Sequence, residues 1–219
     1  ISKGEIITLN HKNEFNYQVP TRNAELSKTV KHPLMKADDF KYCVPVNEGT
    51  AKVETINSIG PFVRKRKDVT LDIKDGVIEP SVEKDVAVVS VIERYGINQN
   101  QSKGFISGWS FKKGAIATTA SPDDNNIVVS SAASDVYKRQ FLPLPVAGIV
   151  SDLEPEKLAE QERELEEAAK AIGSDLPDPI FYLSFLPITA IPDLAITDGG
   201  AVDYTKLAYF DPILKLEEK

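Results

Sequence analysis

With 219 residues and a formal net charge of −7, the chain is long enough to bury a real core and too acidic for a phosphate-backbone binder. No apolar run approaches the ~20 residues a bilayer-spanning helix needs, and the N-terminus lacks a basic-then-apolar leader, so neither nucleic acid nor membrane is an expected partner. Cys43 is the lone cysteine, which excludes an internal disulfide and suits a reducing cytoplasm.

In chain order, GEIITLNHKNEF at 4–15 is β-rich with turn chemistry at Gly4, Asn10 and Asn13, and reads as a strand and the start of a hairpin. From 20 to 45 Pro33 breaks any helix and apolar periodicity is lost, which is linker behaviour. Short strands follow at 51–59, 67–73 and 76–80, separated by Gly60-Pro61 and by the strong hairpin signal Asp75-Gly76. DVAVVSVIER at 85–94 is apolar at nearly every position, as a central strand covered on both faces requires. Glu93 and Arg94 close it and read as a structural ion pair. GFISGWSF, GAIATTA and NIVVSS add more short strands, with Gly104 and Gly108 marking a close backbone bend in KGFISG.

A helix is predicted over about 154–172, with Asp152 as its cap, Pro155 in its first turn and Gly173 as its stop. Leu158, Leu165, Ala169 and Ile172 form its apolar face. Beyond it, Pro177, Pro179, Pro187 and Pro192 are expected to divide the apolar stretch into short extended pieces. The fold class is therefore α+β, a largely antiparallel β-sheet with flanking helices.

Chemistry-bearing residues are sparse. His11 and His32 cannot build a metal site by themselves, and a single cysteine cannot complete the His-x-Glu and Cys-x-x-Cys zinc plan. No nucleophile elbow or Gly-rich phosphate cradle is present, so no catalytic residue, metal ligand or cofactor is expected on this chain. The most suggestive polar cluster is SPDDNN at 121–126, with Asp123, Asp124, Asn125 and Asn126. One reading is turn chemistry, since Asp and Asn side chains bond the local backbone. The other rests on a family resemblance.

Four blocks bear on that choice: VIERYG at 91–96, KGFISGWSFKKGAIATTASPDDNN at 103–126, LPLPVAGIVSD at 142–152 and LSFLPITAIPDLAITDGGAVD at 183–203. In this order they resemble the C-terminal region of bacterial adenine deaminases, of the amidohydrolase group. The resemblance implies residues 1–19 as trailing strands of a small β-sandwich, 20–45 as linker and 46–219 as the C-terminal domain, interrupted at about 131–140. It implies a catalytic barrel upstream, where the intact cytoplasmic enzyme would convert adenine and water to hypoxanthine and ammonia at a manganese or iron site. The implied partners are that barrel, a small-molecule purine substrate and further copies in a homo-oligomer. The fragment itself would pack against the barrel and shape its mouth, inactive alone.

Two departures from the family pattern stand out. Family members typically read His-Asp-Ser-His-Asn in the SPDDNN loop, which the resemblance places at the barrel mouth. Pro122 and Asn125 stand where the histidines are usual, while Asp123 and Asn126 agree. SAASDVYKRQ at 131–140 replaces a helix, a glycine-rich turn and a strand, either as a real deletion bridged by a short loop or as a join carrying a translated adapter, DVYKRQ. Either way, sheet edges and apolar faces lose cover, so poor order is expected there. Two further readings stay open: a non-catalytic interaction or oligomerisation module, and a divergent amidohydrolase acting on another cyclic amidine or amide.

Overall fold

Along β7 (Val86–Ile92) all seven residues are buried, because successive side chains enter two different cores. Ala87, Val89 and Val91 point into one, Val86 and Val88 into the other. This is a computed structural model, and it describes residues 8–9, 12–13, 29–60, 62–132, 151 and 153–219.

β8 (Gln101–Ser107) and β10 (Ile127–Ser131) flank β7 antiparallel, with Val89 opposite both Gly104 and Ser130. β9 (Ala115–Thr118) pairs with β10. On the other side of β8 lies a long hairpin, β4 (Gly49–Gly60) and β5 (Val63–Lys74). Asp75 and Gly76 turn β5 into β6 (Val77–Ile78) with φ of 50° and 74°, the two positive values that a tight primed turn demands. β3 (Tyr42–Cys43) pairs with β6, and β14 (Ile213–Glu218) pairs with the first half of β4. Pairing in this nine-stranded sheet is antiparallel among the described residues except where Ile56 of β4 lies beside Ile106 of β8. The expected α+β class and antiparallel bias hold.

The bend expected in KGFISG is at Gly108 alone, since Gly104 lies inside β8. Gly108 has φ +82°, and a Cβ there would sit 2.7 Å from the Ser58 carbonyl oxygen. The Asp85 carboxylate stabilises the turn, accepting from the N–H groups of Gly108, Trp109 and Ser110 at 2.8, 3.2 and 2.7 Å.

One core lies between the β7–β8–β10 face and two helices. It includes Ile106, Trp109, Val128, Leu183, Leu186, Leu194 and Ile196. α1 (Pro155–Ala171) follows its prediction: Pro155 opens it, Gly173 ends it at φ +98°, and Ala169 is its buried residue. Its expected cap, Asp152, lies outside the described residues, and Glu154 at the cap makes no side-chain bond. The second core has Val53, Leu71, Ile73 and Phe105, with Tyr42 stacked on Phe105 at 4.8 Å. Burial pushes the Tyr42 hydroxyl up to about 12, and Asp211 adds to the shift.

The proline-rich stretch departs from expectation. It contains a helix, α2 (Pro179–Phe185), because Pro179 occupies the first helical turn, where its missing N–H costs nothing, and Asp178 caps it by accepting from the Phe181 N–H at 2.9 Å. Then β11 (Leu194–Thr197), β12 (Gly200–Asp203) and β13 (Ala208–Phe210) form a three-stranded antiparallel sheet. Near the N-terminus β1 (Thr8–Leu9) and β2 (Lys12–Asn13) form the expected hairpin. Within 20–45 the described residues include a 3-10 turn at Ala37–Phe40 as well as β3. DVYKRQ and most of the 142–152 block lie outside the described residues, as does the poor order expected around 131–140 from residue 133 onward. No described helix is long and apolar enough to cross a membrane.

Candidate functional site at the loop end of the sheet

Antiparallel order brings the β7–β8 loop (93–100) and the β9–β10 loop (119–126) to the same end of the sheet. The β11–β12 turn, with Asp198 and Gly199 at its tip, joins them there.

Glu93 begins the first loop. Burial pushes its carboxyl up, but the N–H groups of Tyr95, Gln99, Ile97 and Gly96, at 2.6, 3.3, 3.1 and 3.0 Å, outweigh that and hold it below the usual carboxylate range. The expected ion pair with Arg94 is not made: the loop curls its N–H groups around the carboxylate and consumes its charge. The buried Arg94 guanidinium instead donates to the Thr119 carbonyl at 2.9 Å and the Tyr95 hydroxyl at 3.3 Å, and lies 4.8 Å from the Tyr95 ring centroid. Its main chain reaches further, with the carbonyl accepting from Lys31 N–H at 2.6 Å and the N–H donating to Asn126 Oδ1 at 3.4 Å.

The SPDDNN loop is built as a turn. Asn125, at φ 51°, donates its N–H to the Ser121 carbonyl at 2.8 Å, and Asn126 donates its N–H to Asp124 Oδ1 at 3.1 Å. Asn126 Nδ2 donates to Asp124 Oδ2 and to Asp198 Oδ1, each at 3.2 Å. The second Asp198 oxygen accepts from Asn100 Nδ2 at 3.4 Å. The Ser121 hydroxyl donates to the Ser184 carbonyl of α2 at 3.3 Å. Asp124 and Asn126 are thus absorbed by the turn. Asp123 is exposed, Asn125 is half-buried, and neither side chain takes part in this network. Asp198 escaped sequence reasoning, although Asp-Gly between two apolar runs was a usable hairpin signal.

His32 lies with Nδ1 2.9 Å from the Pro33 carbonyl oxygen, and His11 is outside the described residues. Among the described residues no three His, Cys, Asp or Glu side chains converge as a metal site.

Against known families, residues 61–138 and 131–208 match the model of the adenine deaminase C-terminal domain. The chain belongs to this family. The two matches overlap at 131–138, inside the SAASDVYKRQ segment. Among curated adenine deaminases, the chain is 46% identical to adenine deaminase 1 of Desulfotalea psychrophila, over 99% of this chain and 40% of that protein. Similarity to adenine deaminase 1 of Latilactobacillus sakei has the same identity and coverage. Adenine deaminase 4 of Rhizobium meliloti is 38% identical, over 89% of this chain and 36% of that protein. The chain therefore spans about 40% of the length of the nearer of these adenine deaminases. The Desulfotalea alignment runs over 237 positions against 219 residues here, so at least 18 positions of the relative have no counterpart in this chain. The resemblance to an adenine deaminase C-terminal domain inferred from the sequence is thereby borne out.

Proposed function

We propose that this adenine deaminase C-terminal domain is the non-catalytic part of an adenine deaminase-like hydrolase, packing on an amino-terminal barrel and offering the SPDDNN loop to its mouth. The observation that carries this reading is the match along 99% of the chain to a protein named adenine deaminase, of which it covers 40%. The loop end supports it. Ile97, on the β7–β8 loop, is four-fifths exposed, as part of a face that meets another body would be.

In the intact enzyme, water adds to C6 of adenine and ammonia leaves, giving hypoxanthine. A manganese or iron ion held by the barrel would activate the water. This chain contributes shape: Asp123 is exposed and Asn125 half-buried, both unspent on the turn that Asp124 and Asn126 hold. A purine in a reducing cytoplasm is the substrate setting of this reading, with the exposed Cys43 thiol in keeping with it.

The test is co-expression of this chain with the part of the Desulfotalea relative that it does not match, followed by an adenine assay with added manganese. Hypoxanthine should form only when both pieces are present. Turnover by this chain alone, or failure of the two to associate, would overturn the reading. A second reading, self-association, is favoured by a surface cluster at the β4–β5 tip, where Phe62 lies 5.1 Å from Phe185 and 6.2 Å from Phe181. Sedimentation of Phe62→Ser beside the parent chain decides it.

A further inference from the structure

Asn126 is 4% exposed, and its side chain makes three hydrogen bonds: Oδ1 accepts from the Arg94 N–H, and the two amide hydrogens go to Asp124 and Asp198. Only one of these three partners lies outside the neighbouring β7–β10 loops. Asp198 is 72 positions away, on the three-stranded sheet. Its other oxygen takes the Asn100 amide, so one carboxylate spans both loops. The tip that carries it is itself seated. A Cβ on Gly199 would meet the Tyr209 hydroxyl at 2.7 Å, and one on Gly200 would meet the Tyr209 ring at 3.1 Å, so the turn lies close against β13.

We infer that Asp198 is the positioning residue of the SPDDNN loop, holding Asn126 and Asn100 together so that Asp123 and Asn125 are presented in one fixed arrangement. This rests on the proposed reading for its functional half, that the loop serves the purine site. Its structural half stands on the chain alone. Without Asp198 the Asn126 NH2 group keeps only Asp124, a partner that moves with the loop, and the Arg94 N–H to Oδ1 at 3.4 Å is the one side-chain tie of Asn126 left to another element. Asp198→Asn keeps the volume and one acceptor oxygen, so it retains one of the two bonds. Asp198→Ala retains neither.

The test has two arms. Hydrogen exchange on the full chain should show the amides of Asn125 and Asn126 exchanging at least about tenfold faster in Asp198→Ala, with a smaller effect in Asp198→Asn and no change in β7 and β8. Unchanged loop exchange in both variants, or equal acceleration in β7 and β8, overturns the inference. In the enzyme reassembled with the Desulfotalea portion, Asp198→Ala should raise KM for adenine about fivefold or more with kcat nearly constant, and Asp198→Asn should fall between. Faster loop exchange with KM unchanged would uphold the latch and remove its functional half. An inactive reassembly would count against the proposed function and leave the exchange arm to decide the role of Asp198.

Discussion

Arg64 Nη1 donates to the Leu194 carbonyl at 2.8 Å across 130 residues of sequence, tying the start of β5 to β11. The same guanidinium donates to the carbonyls of Leu186, at 3.2 Å, and Phe185, so it closes the C-terminal end of α2. Burial lowers its pKa to about 10. Arg64→Met takes the Leu194 carbonyl's guanidinium donor away, while the Leu186 and Phe185 carbonyls keep the N–H groups of Ile196 and Ile188, and should cost about 1–3 kcal/mol in urea unfolding. Arg64→Lys, with one compact ammonium in place of a planar fork, should recover less than half of that loss.

Glu93 gathers four N–H groups, and a glutamine there offers one weaker acceptor oxygen and turns an NH2 toward donors. Glu93→Gln should speed hydrogen exchange at Tyr95, Gly96 and Ile97 by about tenfold or more, leaving α1 unchanged. Equal exchange in the parent and the variant would contradict the account of this loop.

Asp203 gives a pH signature. The Thr205 hydroxyl, Lys206 and Arg66 hold its carboxyl well below the usual carboxylate range, against the opposing effect of burial. A carboxyl depressed in the folded state contributes stability above its unfolded pKa, and that contribution is lost as pH falls through the folded value. The Tm gap between the parent chain and Asp203→Asn should therefore be constant near neutrality and begin to close below about pH 4. A gap that widened on acidification would have the wrong sign.

Trp109 is buried, with its ring centroid 5.5 Å from Phe111 and 6.2 Å from Tyr182. Its Nε1–H has no hydrogen-bond partner among the described residues. Trp109→Ala should cost about 3–5 kcal/mol through the cavity it leaves. Trp109→Phe removes the unpaired donor along with part of the ring, so the two effects oppose and the loss should stay below about 2 kcal/mol. Chemical denaturation followed by circular dichroism measures both.

Elements whose signals are local were readable from the residues. β7 is apolar on both faces, Asp75-Gly76 makes the turn that its residue types demand, and α1 follows its periodic face from Pro155 to Gly173. α2 was missed although its signal was local too, because Pro179 was read as a breaker when it follows the capping Asp178. The SPDDNN loop was legible as a turn. Which of its four polar residues would be spent on that turn was not, since the answer depends on Arg94 and Asp198.

By itself the sequence determined the α+β class, the chain positions of the main strands, the α1 helix and the family. These follow from patterns spanning a few residues, or from ordered blocks along the chain. Tertiary structure alone decided that Arg64 would be held by carbonyls of α2 and β11, that Glu93 would bind backbone instead of Arg94, and that Asp198 would reach Asn126. The Arg64 and Asp198 contacts depend on a buried polar group meeting whatever partner strand register and sheet order bring into hydrogen-bonding reach, which no sequence spacing encodes, whereas Glu93 is met by N–H groups within six residues because its own loop curls around it.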